Sequence, residues 1–336
     1  MYSVDVIIPS YKPDQKLRKL LELLLRQSYP IQKIIIINTE KSLLDPTLIP
    51  EDTRISVTHI RKEEFDHGAS RNLGVSKSDA ELFLLMTEDA VPKATTLVEK
   101  LVHVFETDPY KDAAPKNHPR GPIGAVYGRQ LATQESSYDE QYARQFNYPA
   151  QSFVKTQQDI ARLGIKTYFE SNVCCMYRRD IFDRLGGFID HTIFNEDMIY
   201  CGKLLQAGYA SAYEASAEVH HAHHYSGCQQ FHRNFDLGVS QADHPEIFGG
   251  LRSEGEGVKL VLGNAKDLIR HGRLLTVPNL VWKSGCKYLG FRMGRNYRKL
   301  SRRMVLRCTM NPRYWAHTDG SIELHEDGSA CRKNRR

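Results

Sequence analysis

Two short acidic segments and a run of histidines carry the side chains best suited to chemistry: Thr87-Glu88-Asp89-Ala90, Asn195-Glu196-Asp197, and His220, His221, His223 and His224. Carboxylate oxygens and neutral imidazoles are ligands for a divalent cation, and imidazole suits Mn²⁺ better than Mg²⁺. A carboxylate set apart from such a cation can take a proton from a hydroxyl. Glu88 and Asp89 are adjacent, so on an extended backbone they point opposite ways and only one is expected to ligate directly. His221 and His223 lie two apart and share a face if the strand before them continues. The plainer alternatives stand beside these. Acidic residues often end a strand or cap a helix, and any one histidine can be a hydrogen-bonded loop residue, the preferred reading for His220 and His224. A histidine-rich zinc site is disfavoured, because no cysteine pair or outlying His-x-x-His accompanies the cluster.

These groups need a scaffold that gathers them. Thr87 follows the apolar run 82–86, so Glu88 and Asp89 fall at the carboxyl end of a buried strand, where open α/β sheets bind ligands. Residues 4–8 form a β-branched run ending in Pro9-Ser10-Tyr11, followed by Leu17, Leu20, Leu21, Leu24 and Leu25 at helical spacing. Residues 33–37 predict a second strand ending at Asn38-Thr39-Glu40, 55–60 a third, a helix starts near Gly68, and 80–86 is a fourth strand. This alternation predicts a parallel sheet with right-handed crossovers. Beyond it the pattern predicts a helix over 97–105, a strand over 123–129, helical or irregular chain over 138–166 and a strand over 167–177. A turn at Gly186-Gly187-Phe188, a helix over 198–206 and a strand over 210–219 lead into the histidines.

With 336 residues, 41% hydrophobic and 26% charged, the chain can bury one large core or two smaller ones, and nothing marks it as disordered. Its net charge of +6 conceals an asymmetry: between Lys283 and Arg313 stand ten Lys/Arg and no Asp or Glu. Seven cysteines form an odd set without a Cys-x-x-Cys spacing, which argues for reduced thiols. No apolar stretch approaches the roughly 20 residues that span a bilayer, and no leader pattern precedes the first strand, so a cytoplasmic or peripheral location is expected.

The order Pro9-Ser10-Tyr11, Gly68-Ala69-Ser70-Arg71-Asn72, Thr87-Glu88-Asp89-Ala90, Gly186-Gly187-Phe188, Asn195-Glu196-Asp197 and the histidines before Tyr225-Ser226 resembles the family 2 glycosyltransferases of the GT-A fold. Within them the chain is most similar to bacterial dTDP-rhamnose-dependent rhamnosyltransferases of surface polysaccharide assembly. That finer likeness rests on Tyr127-Gly128-Arg129-Gln130, Phe146-Asn147-Tyr148-Pro149, Leu163-Gly164-Ile165-Lys166-Thr167, Ser171-Asn172-Val173, Lys287-Tyr288-Leu289-Gly290 and Asn296-Tyr297. The resemblance covers nearly the whole chain. It implies a Rossmann-like α/β mixed sheet flanked by helices, with a GT-A domain over 1–240 (donor half 1–130, acceptor half 131–240) and a helical, basic extension over 241–336.

The resemblance also implies an inverting transfer of L-rhamnose from dTDP-L-rhamnose to a hydroxyl of a growing, lipid-linked glycan. It puts Mn²⁺ or Mg²⁺ on Asp89, Glu88 nearer the ribose or sugar, and a histidine, His221 or His223, completing the metal site. Thr87 departs from the family's usual Asp-x-Asp. A base must come from a segment other than the metal ligand's, which points to Asp197, with Glu196 fixing geometry or serving in its place; a helix N-cap is the alternative. Pro9, Ser10, Tyr11, Asn38 and Arg71 are the candidate donor contacts: Tyr11 could stack on a pyrimidine, Arg71 could pair with diphosphate, and Asn38 stands where members often place an Asp. A different donor, UDP-hexose or UDP-HexNAc, remains open, as does a non-catalytic glycan-binding protein of the same fold. The segment 280–313, with Arg295, Arg298, Arg302 and Arg303, suits either an anionic membrane surface on the inner face of the cell membrane or a packed helix with a solvated basic face. No nucleic-acid motif accompanies the charge.

Overall fold

The computed structural model describes residues 1–111, 120–222, 225–251, 254–317, 322–324 and 330–332. The first apolar run is β1 (Val4–Tyr11), after which the Asp14 carboxylate accepts from Lys16 N at 2.7 Å and starts α1 (Gln15–Leu24). Next come β2 (Lys33–Thr39) and β3 (Ile55–Ile60). Asp66 then caps α2 (His67–Ser76), its Oδ1 accepting from Gly68 N and Ala69 N at 2.9 Å each. The acidic segment follows β4 (Leu82–Met86) and leads to the short β5 (Val91–Pro92) and α3 (Leu97–Thr107). The second half of the sheet region contains β6 (Ile123–Leu131), α4 (Tyr138–Asn147), β7 (Phe153–Lys155), α5 (Ile160–Leu163), β8 (Cys174–Arg178), α6 (Arg179–Arg184), α7 (Glu196–Gln206) and β9 (Ala210–His220).

Among the described residues nine strands form one sheet in the order β3-β2-β1-β4-β8-β6-β9-β5, with β7 on β9. The expected parallel pairing holds for β3-β2-β1-β4. β8 enters antiparallel between β4 and β6, making the sheet mixed. This reversal brings the amino end of β8 to the edge where β4 ends, and Thr87 N donates to Val173 O at 3.3 Å. The strand expected over 167–177 is shorter than the pattern predicts. Ile165, Thr167 and Tyr168 are buried instead by a 3-10 turn at Gly164–Tyr168, because Gly164 takes a left-handed conformation (φ 55°) that breaks the chain direction.

Alternation along the strands splits the core into two layers. Val4, Val6, Ile8, Leu82 and Leu84 face α1 and α3, while Ile7, Phe83 and Leu85 face the aromatic cluster of Tyr177, Phe182, Phe188 and Tyr200 on the other side. Among the described residues no helix is long and apolar enough to cross a membrane.

The chain divides into two compact units, residues 1–190 with 196–223, and residues 191–195 with 224–336. The second comprises α8 (Gly227–Asp243), α9 (Pro245–Phe248), α10 (Glu254–Arg270), α11 (Val277–Arg295), α12 (Arg302–Cys308), α13 (Pro312–His317) and the paired β10 (Ile322–Leu324) and β11 (Ala330–Arg332). Its division from the first unit lies ahead of the expected boundary at 240, because α8 packs along α11. Glycines permit that approach: a Cβ on Gly290 would lie 2.2 Å from Phe231 O, and one on Gly294 2.0 Å from Phe235 O. Gly294→Ala is therefore expected to destabilise this unit by about 1–3 kcal/mol despite alanine's better helix propensity. Gly285→Ala on the same helix, where a Cβ meets nothing within 4 Å, should be neutral or stabilising; thermal unfolding of the two variants checks the contrast.

Candidate active site

The two adjacent carboxylates after β4 stand not on the extended backbone expected but in a turn that Ala90 N closes by donating to Thr87 O at 3.0 Å, and they meet different neighbours. Glu88 turns to the neighbouring strand, where its Oε2 accepts from Ser10 Oγ at 2.6 Å and from Tyr11 N at 3.1 Å. Burial pushes its pKa up to about 7 against those two hydrogen bonds. Asp89 turns the other way, and its Oδ2 lies 3.5 Å from Nε2 of the buried His221.

His221 reaches that place through an irregularity in β9. Pairing with β6 jumps from Gly128↔Glu214 to Arg129↔Glu218, leaving Ala215, Ser216 and Ala217 as extra residues on β9. Gly128 admits them, since a Cβ there would lie 2.7 Å from Ala217 O. Side chains satisfy the displaced amides: Ala215 N donates to Ser152 Oγ and Ser216 N to Glu214 Oε1, both at 2.9 Å. Beyond the bulge, His221 N donates to Leu131 O at 3.0 Å, closing the end of the ladder.

Nδ1 of His221 has two neighbours, Gln130 Oε1 at 3.0 Å and Arg144 Nη2 at 3.1 Å, and Arg144 Nη1 also donates to Gln130 Oε1. Arginine only donates, so Gln130 must present its oxygen here; its Nε2 donates to Ser171 Oγ at 2.9 Å. The arginine contact suits a ring protonated on Nε2, and the glutamine oxygen suits one protonated on Nδ1, with its Nε2 lone pair facing Asp89. Ligand bonds of about 2.1 Å put adjacent ligands of one cation about 3.0–3.4 Å apart, close to the Asp89–His221 separation. Among the described residues no group of three or more His, Cys, Asp or Glu is placed to hold an ion. The other expected ligand, His223, lies outside the described residues, as does His224.

The second acidic pair sits in the first turn of α7, which begins at Glu196, two residues earlier than its apolar pattern predicts, after Asn195 in a left-handed conformation (φ 65°). Glu196 is buried, and its Oε1 forms an ion pair with Arg71 Nη1 at 3.2 Å and accepts from Asn172 Nδ2 at 3.1 Å. Burial alone would raise its pKa, but the Arg71 and His67 charges outweigh that and hold it below the ordinary value. Asp197 differs. Its Oδ1 accepts from Met198 N at 2.8 Å and its Oδ2 from Asn172 N at 3.3 Å, and the residue is half-buried. Burial of the carboxyl, then repulsion from Glu196, pushes its pKa up to about 7. Asn172 thus touches both acids, while Tyr177 Oη donates to its Oδ1 at 2.7 Å. The next residue, Val173, is bonded to Thr87, so the two acidic segments lie at one edge of the sheet.

Around that edge Thr87 Oγ1, Arg71 Nε and Asn38 Oδ1 are buried without hydrogen-bond partners. An unsatisfied buried polar atom costs about 1–3 kcal/mol, and three along one edge mark a place for a polar ligand. Arg71 also donates to His67 O at 2.8 Å. Asn38 is fully buried, with Nδ2 donating to Glu40 O at 3.0 Å and lying 3.1 Å from His59 Nδ1. Pro9 and Ser10 come last in β1 before its final residue, Tyr11, whose exposed ring has the Lys12 and Lys62 ammonium groups at 5.3 and 5.9 Å. Gln130, Ser171 and Asn172 stand in the sequence motifs without a predicted role. Nothing in one sequence marks Arg144.

Residues 5–186 match the profile of glycosyl transferase family 2. The chain is 34% identical over 316 residues to the O-antigen chain rhamnosyltransferase RfbN of Salmonella typhimurium, a match covering 93% of this chain and 96% of that protein. It is 32% identical over 320 residues to the O-antigen chain rhamnosyltransferase WbaN of Salmonella anatum, covering 94% and 96%. Among solved structures it resembles the mannosyltransferase PcManGT from Pyrobaculum calidifontis, determined with GDP-Man and Mn²⁺, with a TM-score of 0.58 at 15% identity over 88% of this chain and 87% of that one. At that identity the likeness establishes the GT-A fold alone. The profile runs from the first strand to the Gly186-Gly187 turn, and the relatives align far beyond it: this chain belongs to glycosyl transferase family 2 and is a glycosyltransferase.

Proposed function

We propose that the protein transfers L-rhamnose from dTDP-L-rhamnose, with inversion, to a hydroxyl of a growing, lipid-linked cell-surface polysaccharide. The observation that carries the chemistry is the division of labour in the second acidic pair. Glu196 is committed to Arg71 and Asn172, whereas Asp197 is half-buried and gains and loses its proton near neutral pH. Asp197 takes the acceptor hydroxyl proton as that oxygen bonds to the anomeric carbon and the bond to the diphosphate breaks. Asp89 and His221 would hold a divalent cation, Mn²⁺ or Mg²⁺, which when bound neutralises charge on the departing dTDP. Arg71 and the ends of the first two strands, with Ser10, Tyr11 and Asn38, face the donor. The names of the two Salmonella relatives support rhamnose as the sugar and a surface polysaccharide as the acceptor's destination.

The test is turnover of dTDP-rhamnose against UDP-glucose, UDP-GlcNAc and GDP-mannose with a synthetic lipid-diphosphate acceptor. Preference for a UDP-sugar would overturn the donor assignment, and absence of both transfer and hydrolysis with every donor would favour a glycan-binding role. Gln130 should hold His221 in the metal-binding tautomer. Gln130→Ala is expected to weaken Mn²⁺ binding about 10–100-fold, read by the electron paramagnetic resonance signal of free Mn²⁺.

A further inference from the structure

Helix α11 is apolar on two sides. One side, with Leu280, Phe291 and the glycines, is buried in the second unit. The other carries Val281, Trp282 and Leu289, all more than half exposed. On α10, Leu262 (65% exposed) and Ile269 fall two turns apart on one stripe, and the connection between the helices presents Leu275 at 95% exposure. An isolated exposed leucine needs no explanation, but successive exposed apolar residues on both helices and their connection do. The charge around them is mainly positive. Residues 254–313 contain fourteen Lys/Arg against three acids, Glu254, Glu256 and Asp267, and exposed Lys266, Arg270 and Arg273 stand within four residues of Leu262, Ile269 or Leu275.

Three of the four arginines singled out in the sequence are occupied elsewhere. Arg295 donates to Gln241 O at 3.2 Å, Arg298 pairs with Asp243 at 2.8 Å, and Arg302 donates to Trp315 O at 2.5 Å. They hold the second unit together, as the packed-helix alternative expects for that stretch. The surface with an unmet apolar face lies earlier in the chain.

We infer that α10 and α11 form a docking face for a bilayer surface rich in anionic lipid. Apolar side chains with Trp among them, ringed by Lys and Arg, match the acyl boundary and the anionic headgroups together. A second copy of the same face would set like charges against each other, which disfavours it as the occupant. The inference goes beyond sugar transfer and does not depend on the donor or base assignments.

The test uses the full chain and vesicles of phosphatidylcholine with or without about 30% phosphatidylglycerol. The protein's two tryptophans differ sharply: Trp282 is 63% exposed and Trp315 is 7% exposed. The inference expects co-sedimentation with anionic vesicles only, weakening with salt, and a blue shift of tryptophan emission that is lost in Trp282→Phe. Leu262→Ser with Leu275→Ser should reduce vesicle binding at least tenfold while transfer to a short soluble acceptor is unchanged, and so should Lys266→Gln with Arg270→Gln. Arg298→Gln should leave binding intact if the variant remains folded by circular dichroism. Undiminished binding by the leucine pair, equal binding to neutral vesicles, or no binding at all would overturn the inference. So would a sedimentation-velocity dimer that the leucine pair dissolves, which would assign the face to a second copy.

Discussion

Asp197→Asn is expected to lower turnover about a hundredfold to ten-thousandfold while donor affinity, measured as product-free binding of the nucleotide sugar, stays nearly constant. The amide has a single oxygen, so it keeps one of the two hydrogen bonds from Met198 N and Asn172 N, sets its NH2 against the other, and cannot take the acceptor's proton. The wild-type pH profile should carry the same signature. Because the Asp197 pKa is raised to about 7, the active carboxylate is lost as pH falls through that value, so kcat/KM should drop on the acid side. Glu196→Gln should behave differently: it leaves the buried Arg71 guanidinium without its counter-charge, destabilising the fold by about 3 kcal/mol or more and lowering the unfolding temperature. A stable, crippled Glu196→Gln beside an active Asp197→Asn would exchange the two roles.

Asp89→Asn should reduce Mn²⁺ affinity and turnover together, each by about a hundredfold or more, since the variant loses both an anionic ligand and the charge that holds the cation beside the departing diphosphate. Isothermal titration with Mn²⁺ separates this outcome from loss of fold. Wild-type protein that retains full activity in excess EDTA would overturn the metal assignment.

The parallel half of the sheet was legible because each of its strands is a short run of buried apolar residues, β-branched in β1 to β3, with a turn or a capped helix behind it, as at Asp14 and Asp66. The strand over 167–177 was expected, but neither its later start at Cys174 nor its antiparallel direction was legible, since the periodicity does not distinguish a strand from the 3-10 turn that buries Ile165 and Tyr168. Site residues carrying unusual chemistry, Asp89, Glu196, Asp197 and His221, could be singled out by type. Those acting through them could not: Gln130, Arg144 and Asn172 are ordinary polar residues whose role lies in meeting across 14 to 91 positions of chain. The division of the chain near 224 was hidden for a similar reason. Gly290 and Gly294 look like weak points in a helix until the backbone of α8 is seen against them.

The bulge in β9 gives chain length a chemical meaning. Three extra residues are an odd number, so the strand leaves the bulge with its two faces exchanged, and that exchange turns position 221 toward Asp89. A single residue inserted among 215–217 would advance His220 into that position, and a single deletion would bring Ala222 there instead. Neighbouring histidines therefore make the site tolerant of a frame slip in one direction and not the other. At this point of the chain an insertion or deletion acts as a substitution of the residue that faces Asp89, several positions away, and length should vary less among functional homologues here than in the loops around it.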